Sequence, residues 1–445
     1  MIEISGSLSN PSIAYKKLTI KKMEDFILLG FILSFTFYLK KTKNNIIFPD
    51  IILILFYITI IPTIIGIIVI TRGNAEDFMS FGLGNFISEE TVQVVYFDYF
   101  ISWIITFLIF GVLYKKVKLV PSIIDDNQYK NIIIILGLIP LVVDFLLMPE
   151  YPLIKLIQEG IDSGAVSRGY VINYQIKNGI PLINLIIRGA PTITLIWLFK
   201  NWLVGKKDLY FPLYFVFYII VYSMTLAKSF IIVPFALIYW QYSLIRSGNI
   251  KNITLTLAST LSLIFVFLII SFYLISDNIS EALNSLFMRS FVIQSEGAFL
   301  IREEYPNFDI NALLYGFPFS KYLDIFVESY DPSVEVVKRY FPGIDGWVNI
   351  NSYYIGQGAV MLGKWVSFIG PIILFFNILN ISIIYKYFNK LSGKKYIYFI
   401  IAGYYIITIP LNTNFSLILY LKPVFSTLIL SLYYFIGFKF ISKNG

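Results

Sequence analysis

The chain contains no cysteine and no histidine among its 445 residues. Without cysteine there is no disulfide, no iron–sulfur cluster and no thiolate nucleophile. Without histidine there is no Ser–His catalytic pair and no imidazole for zinc or haem. A bound metal would need oxygen ligands throughout, and no metal or other cofactor is expected. Charge is scarce too. Only 14% of residues are Asp, Glu, Lys or Arg, against about 25% in a soluble domain. That scarcity excludes an ordinary soluble enzyme and a disordered chain. No Asp-x-Asp pair is present. Gly205-Lys206-Lys207 and Gly393-Lys394-Lys395 lack the remaining residues of a nucleotide-binding P-loop.

What is abundant is apolar. Hydrophobic residues make up 57% of the chain and the mean hydropathy is +0.75. A helix needs about 20 apolar residues to cross the hydrocarbon core. Ile51–Ile70, Val94–Tyr114, Asn131–Met148, Pro181–Phe199, Tyr210–Ala227, Ile253–Ile275, Val366–Tyr385, Tyr396–Leu411 and Phe415–Phe440 approach or meet that length, and Phe26–Leu39 and Phe230–Leu244 are shorter candidates. The runs are continuous rather than alternating, which disfavours a β-barrel. The expected fold is an all-α polytopic membrane protein with about 11 spans. It divides into N-terminal spans over 1–275 with a medium outer loop at 150–180, a large outer loop over 276–362, and C-terminal spans over 363–445. No small-residue cleavage site follows Leu39, so a removable signal peptide is not expected.

Lysine and arginine orient such a chain. Alternate short connections carry 18 of the 35 basic residues and are expected inside, while the opposite connections carry 18 of the 27 acids. The lysines at positions 16, 17, 21 and 22 run against this parity and fit an amphipathic helix on the surface. The net charge of +8 is therefore read as orientation and contact with anionic lipid, not as nucleic-acid binding.

Ionisable side chains inside spans are costly and are candidates for function. Arg188 lies in Ile-Ile-Arg-Gly-Ala-Pro, seven residues into its run. Its structural alternative is an ion pair with Asp98 or Asp144. Lys228 is placed at an outer turn, where snorkelling is the alternative. Lys422, before Pro423, suggests snorkelling or a kink. Arginine is used asymmetrically. Of seven, only Arg246 falls inside, whereas Arg72, Arg168, Arg188, Arg289, Arg302 and Arg339 fall on the outer side. A planar guanidinium grips phosphate in a bidentate way. The pattern suggests a pyrophosphate-binding cavity near the outer leaflet, with loop arginines paired to outer acids as the alternative.

Three stretches carry a family resemblance. They are Ser167-Arg168-Gly169-Tyr170 with Ile186-Ile187-Arg188-Gly189-Ala190-Pro191; Lys228-Ser229 before Phe230–Phe235; and Asn351-Ser352-Tyr353-Tyr354-Ile355-Gly356-Gln357-Gly358 followed by Gly370-Pro371. In span number, loop placement and motif order the chain resembles the Wzy-type O-antigen polymerases (oligosaccharide repeat unit polymerases). Members often have Glu where this chain has Gln357, so the resemblance implies no acid role at that position.

The resemblance implies a glycosyltransferase of the bacterial inner membrane, with its site facing the periplasm. Such an enzyme moves a growing glycan from undecaprenyl pyrophosphate onto a fresh lipid-linked repeat unit, for lipopolysaccharide, capsule or another polysaccharide. The implied partners are undecaprenyl-pyrophosphate-linked oligosaccharides and the lipid bilayer, with a chain-length regulator and a flippase nearby. The leaving pyrophosphate needs cations where charge develops. Arg168, Arg188, Arg289 and Lys228 are the expected pyrophosphate-binding residues, with Arg188 and Arg289 catalytic. Glu296, seven residues after Arg289 and so able to share one helical face with it, is the candidate general base, the alternatives being a solvated loop acid and a reaction in which the departing pyrophosphate takes the proton. Two alternatives are an O-antigen ligase, disfavoured by the missing histidine, and a lipid-linked oligosaccharide flippase or transporter, disfavoured by the long outer loop.

Overall fold

The computed structural model describes residues 87–117, 127–171, 181–226, 293–317, 329–340, 350–409 and 415–441, apart from 161, 162, 165 and 206, together with scattered positions between 234 and 283 and residue 411. The runs at Phe26–Leu39, Ile51–Ile70 and Ile253–Ile275 lie outside these residues, as do Lys228 and Arg289. Among the described residues the regular elements are all helical. They are α1 (Glu89–Val117), α2 (Lys130–Leu146), α3 (Pro152–Glu159), α4 (Pro181–Val204), α5 (Tyr210–Ser223), α6 (Ile293–Glu304), α7 (Ile310–Leu314), α8 (Pro332–Tyr340), α9 (Tyr353–Leu362), α10 (Val366–Leu391), α11 (Tyr396–Ile407), α12 (Phe415–Leu419) and α13 (Lys422–Ile441).

Among the described residues, three stretches are long and apolar enough to cross a membrane: 183–204 in α4, 353–391, and 422–440 in α13. The middle one is not a single rod. A Cβ on Gly370 would meet the Tyr354 ring at 2.6 Å, and one on Gly358 would meet Val366 at 2.7 Å. Those pairs make α9 and α10 an antiparallel hairpin, turning at Gly363 with φ +62°. Glycine adopts that left-handed backbone at little cost. The 26-residue α10, about 39 Å long at 1.5 Å per residue, is long enough to span the core alone. The buried α9 dips back beside it. Apolar side chains on α2, α5, α10 and α13 stay exposed, among them Ile139, Leu146, Leu213, Ile372 and Phe440. Exposed apolar faces of this extent fit a bilayer, not water.

The helices associate through small residues and buried hydroxyls, as expected where lipid is as apolar as the helix faces. Gly137 of α2 admits Thr194 of α4, and Gly437 of α13 admits Leu136 of α2. The Thr194 hydroxyl meets the Ile133 carbonyl at 3.1 Å and the Tyr434 hydroxyl at 2.9 Å, so one side chain ties α2, α4 and α13 together. On the other side α10 packs on α1, and α6 packs on α1, α8 and α9.

The two ends of the bundle differ. At one end Lys130 pairs with Asp208 and lies 3.7 Å from the Tyr210 ring centroid, and Lys395 lies 4.2 Å from that of Tyr129. Lys200 lies 4.9 Å from the Tyr396 ring there. These contacts gather the starts of α2, α5 and α11 with the end of α4. At the other end, Ser88 before α1 donates to Glu303 of α6 at 3.0 Å from its nitrogen and 2.9 Å from its hydroxyl.

The runs at Tyr396–Leu411 and Phe415–Phe440, read from sequence as two full spans, differ from that reading. α11 has 12 residues, about 18 Å, against the roughly 30 Å of a hydrocarbon core. The second run breaks at Leu421, which takes φ +55°, and α13 restarts at Lys422 with Pro423 in its first turn. Proline lacks the donor an interior turn needs but is tolerated at a helix start. Lys422 is therefore at a break, as its position before proline suggested. Asn377, eleven residues into α10, donates to the Ile418 carbonyl at 2.8 Å. That bond sets α12 well down the length of α10, so the break lies inside the bundle.

Candidate functional site

Arg188 is held by the residues that follow it. A Cβ on Gly189 would sit 2.5 Å from Leu430 and 3.1 Å from the Tyr405 hydroxyl, so α4 lies tightly against α13 and α11 there. The Ala190 carbonyl accepts from Tyr434 at 3.0 Å, and the Pro191 carbonyl from Tyr214 at 3.2 Å. With α4 clamped on that side, the half-buried Arg188 comes within electrostatic reach of the Asp144 carboxylate on α2 and the Tyr404 hydroxyl on α11. Asp144 is buried and also reaches Tyr218 and Tyr222 of α5. The Tyr218 hydroxyl meets the Thr192 hydroxyl at 2.8 Å. The result is an interior cluster of one guanidinium, one carboxylate and several hydroxyls, drawn from α2, α4, α5 and α11. Arg188 lies about 10 Å along α4 from its start. Of the two acids weighed as its partner, Asp144 is electrostatically coupled to Arg188, whereas Asp98 is coupled to Arg302.

Arg168 is exposed on the short helical stretch 166–171. Its neighbour Ser167 donates to Glu150 at 2.7 Å, which ties that stretch to the α2 end carrying Asp144. The Leu153 nitrogen donates to the Met224 carbonyl at 3.2 Å, bringing the end of α5 to the same place. Arg168 and the Arg188 cluster thus belong to one end of the bundle.

Glu296 lies elsewhere. It is fully buried in the first turn of α6, not a solvated loop acid. The next residue, Gly297, donates to the Asn351 carbonyl at 3.1 Å. α6 packs on α1, α8 and α9, whereas α4 packs on α2, α5, α11 and α13. Glu296 and Arg188 therefore belong to different packing groups. The arginines read from sequence as outer divide as well. Arg339 pairs with Glu304, which also accepts from Tyr340. Burial, then the Glu304 bond, pushes the Tyr340 hydroxyl up to about 12. Arg302 turns inward and is coupled to Asp98 of α1.

The Asn351–Gly358 motif forms the entry to α9. Gln357 is buried, donating to Asp331 at 2.8 Å and accepting from the Ser416 nitrogen at 3.2 Å. Asp331 also takes bonds from Ser333, at 3.0 Å from its nitrogen and 2.7 Å from its hydroxyl. Gln357 thus joins α8, α9 and α12. The tyrosines around Arg188 were absent from the sequence reading. Their signal was present, because Tyr214, Tyr218 and Tyr222 recur every fourth residue and share one face of α5.

No protein-family model matches the chain, and no curated protein and no solved structure is similar enough to count as a match.

Proposed function

We propose that the chain is a polytopic membrane glycosyltransferase of the Wzy polymerase type, with about eleven spans. It joins undecaprenyl-pyrophosphate-linked repeat units at the outer face of the bacterial inner membrane and releases undecaprenyl pyrophosphate. The observation that carries this reading is Arg188, a guanidinium in the helix bundle facing a carboxylate and a set of hydroxyls. A bond to pyrophosphate breaks with negative charge gathering on the leaving oxygens. A preplaced guanidinium in a poorly solvated site stabilises that charge strongly. Asp144 holds the guanidinium in place until an anion carrying more charge than one carboxylate competes for it. Arg168, tied to the same end, gives a second cation at the mouth. In this reading Arg289 and Lys228 complete the phosphate contacts, and the lysine-rich end faces the cytoplasm.

Deleting the gene in its host tests the class. Loss of a polymerase leaves single repeat units on the acceptor lipid. Full-length polymer stranded on its carrier would instead indicate a ligase, and single units trapped inside the cell a flippase.

A further inference from the structure

A second polar site lies between α1, α6 and α10. Asp98 of α1 is 5% exposed and Arg302 of α6 is 9% exposed. Ser367 at the start of α10 donates to one oxygen of Asp98 at 2.5 Å. The other oxygen, Oδ2, and the Nη1 atom of Arg302 are both buried without a hydrogen-bond partner, although the two side chains are electrostatically coupled. A buried charged group with unmet bonding is costly, and native structures seldom leave two electrostatically coupled ones unmet. Tyr99, which follows Asp98 in α1, belongs to an aromatic cluster. Tyr99 packs on Trp103 and Tyr353 at centroid distances of 5.7 and 5.5 Å. The Tyr99 hydroxyl donates to the Ser352 carbonyl at 3.4 Å.

Charge selects the ligand. A phosphate drawn to Arg302 is repelled by Asp98, and an amine drawn to Asp98 is repelled by Arg302. A neutral hydroxyl satisfies both, because its proton goes to the carboxylate oxygen and its lone pair accepts from the guanidinium. We propose that Asp98 and Arg302 form a binding site for a neutral hydroxylated ligand, the carbohydrate part of a substrate. That the hydroxyl belongs to a sugar rests on the function proposed above, whereas the selection for a neutral hydroxyl does not. The site is separate from the Arg188 cluster, so the sugar and the pyrophosphate contact different helices.

The test uses the full-length protein in detergent and ligand-observed saturation-transfer NMR with three probes: neutral methyl glycosides of common hexoses and N-acetylhexosamines, glycerol, and inorganic pyrophosphate. Asp98→Asn with Arg302→Gln neutralises both members at nearly constant volume and keeps the bundle folded, which a thermal melt verifies. The expected result is saturable binding of at least one methyl glycoside, not displaced by pyrophosphate and weakened at least tenfold in the double variant. Binding of glycerol with equal strength would assign the site to any small polyol and overturn the sugar assignment. No glycoside binding, or binding unchanged in a folded double variant, would overturn the site itself. The readout is binding, so an unaltered polymer in Arg188 variants would count against the proposed function and leave this site standing.

Discussion

Gln357 reaches across from α9 and donates its amide to Asp331 at the start of α8, at 2.8 Å, while its carbonyl oxygen accepts from the Ser416 nitrogen. A glutamate here would set a second carboxylate against Asp331 and remove the donor. Gln357→Glu is therefore expected to cost about 1–3 kcal/mol. It should lower the melting temperature of the purified protein, and adding Asp331→Asn should recover most of the loss. An unchanged melting temperature for Gln357→Glu would show that the bond does not hold α8, α9 and α12 together.

Backbone crowding gives a second expectation. A Cβ on Gly297 would lie 2.3 Å from the Asn351 carbonyl oxygen, and neither atom is on a side chain that can swing away. Gly297→Ala should destabilise by about 1–3 kcal/mol, in the range of other overpacking substitutions. Gly169→Ala, where nothing lies within 4 Å of the new methyl, serves as the control and should melt normally. Equal melting temperatures would contradict the close approach of α6 to the Asn351 backbone.

Acid should loosen the join between α6 and α1. Burial raises the Glu303 pKa, but hydrogen bonds from Thr91 and Ser88 outweigh it and hold the carboxyl below its usual 4.5. A group depressed in the folded state contributes stability above its unfolded pKa and loses it as pH falls through the folded one. The contribution is therefore complete at neutral pH and is lost below about 4.5. Amide protection factors at the start of α1, corrected for the intrinsic pH dependence of exchange, should fall through that acid window in the native protein and stay constant there in Glu303→Gln. The same acid response in both proteins would contradict the assignment.

How much of this was legible in the sequence varies from place to place. Long apolar runs marked helices such as α4 and α10, because a helix whose faces are all buried or turned to lipid needs no polar periodicity. The ends were less legible. Pro410, three residues past Ile407, is a stop signal inside the apolar run Tyr396–Leu411, but reading by apolar length alone passes over it, and α11 ends after 12 residues. Pro423 did mark the second break. For the site, Arg188 stood out because charge is scarce in spans, and Asp144 was one of two acids at a suitable depth. Tyr404 was invisible, because its place beside Arg188 comes from α11 packing on α4. Glu296 lies on α6, which packs away from the Arg188 group, and its spacing partner Arg289 lies outside the described residues.

The central claim is that Arg188 acts on the substrate and is not only half of a structural pair with Asp144. The direct measurement is polymer length on gels from cells lacking the native gene and carrying Arg188→Ala, Arg188→Lys, or Arg188→Ala with Asp144→Ala, each with membrane insertion checked by immunoblot. Removing one charge-stabilising donor should slow the reaction roughly 100- to 1,000-fold. Arg188→Ala is expected to insert normally and to yield only single repeat units. Lysine, without the planar fork, should rescue poorly. The double variant should be as inactive as Arg188→Ala, although it leaves no unpaired buried carboxylate. Long-chain polymer in the double variant would reduce Arg188 to a counter-ion for Asp144 and contradict the claim.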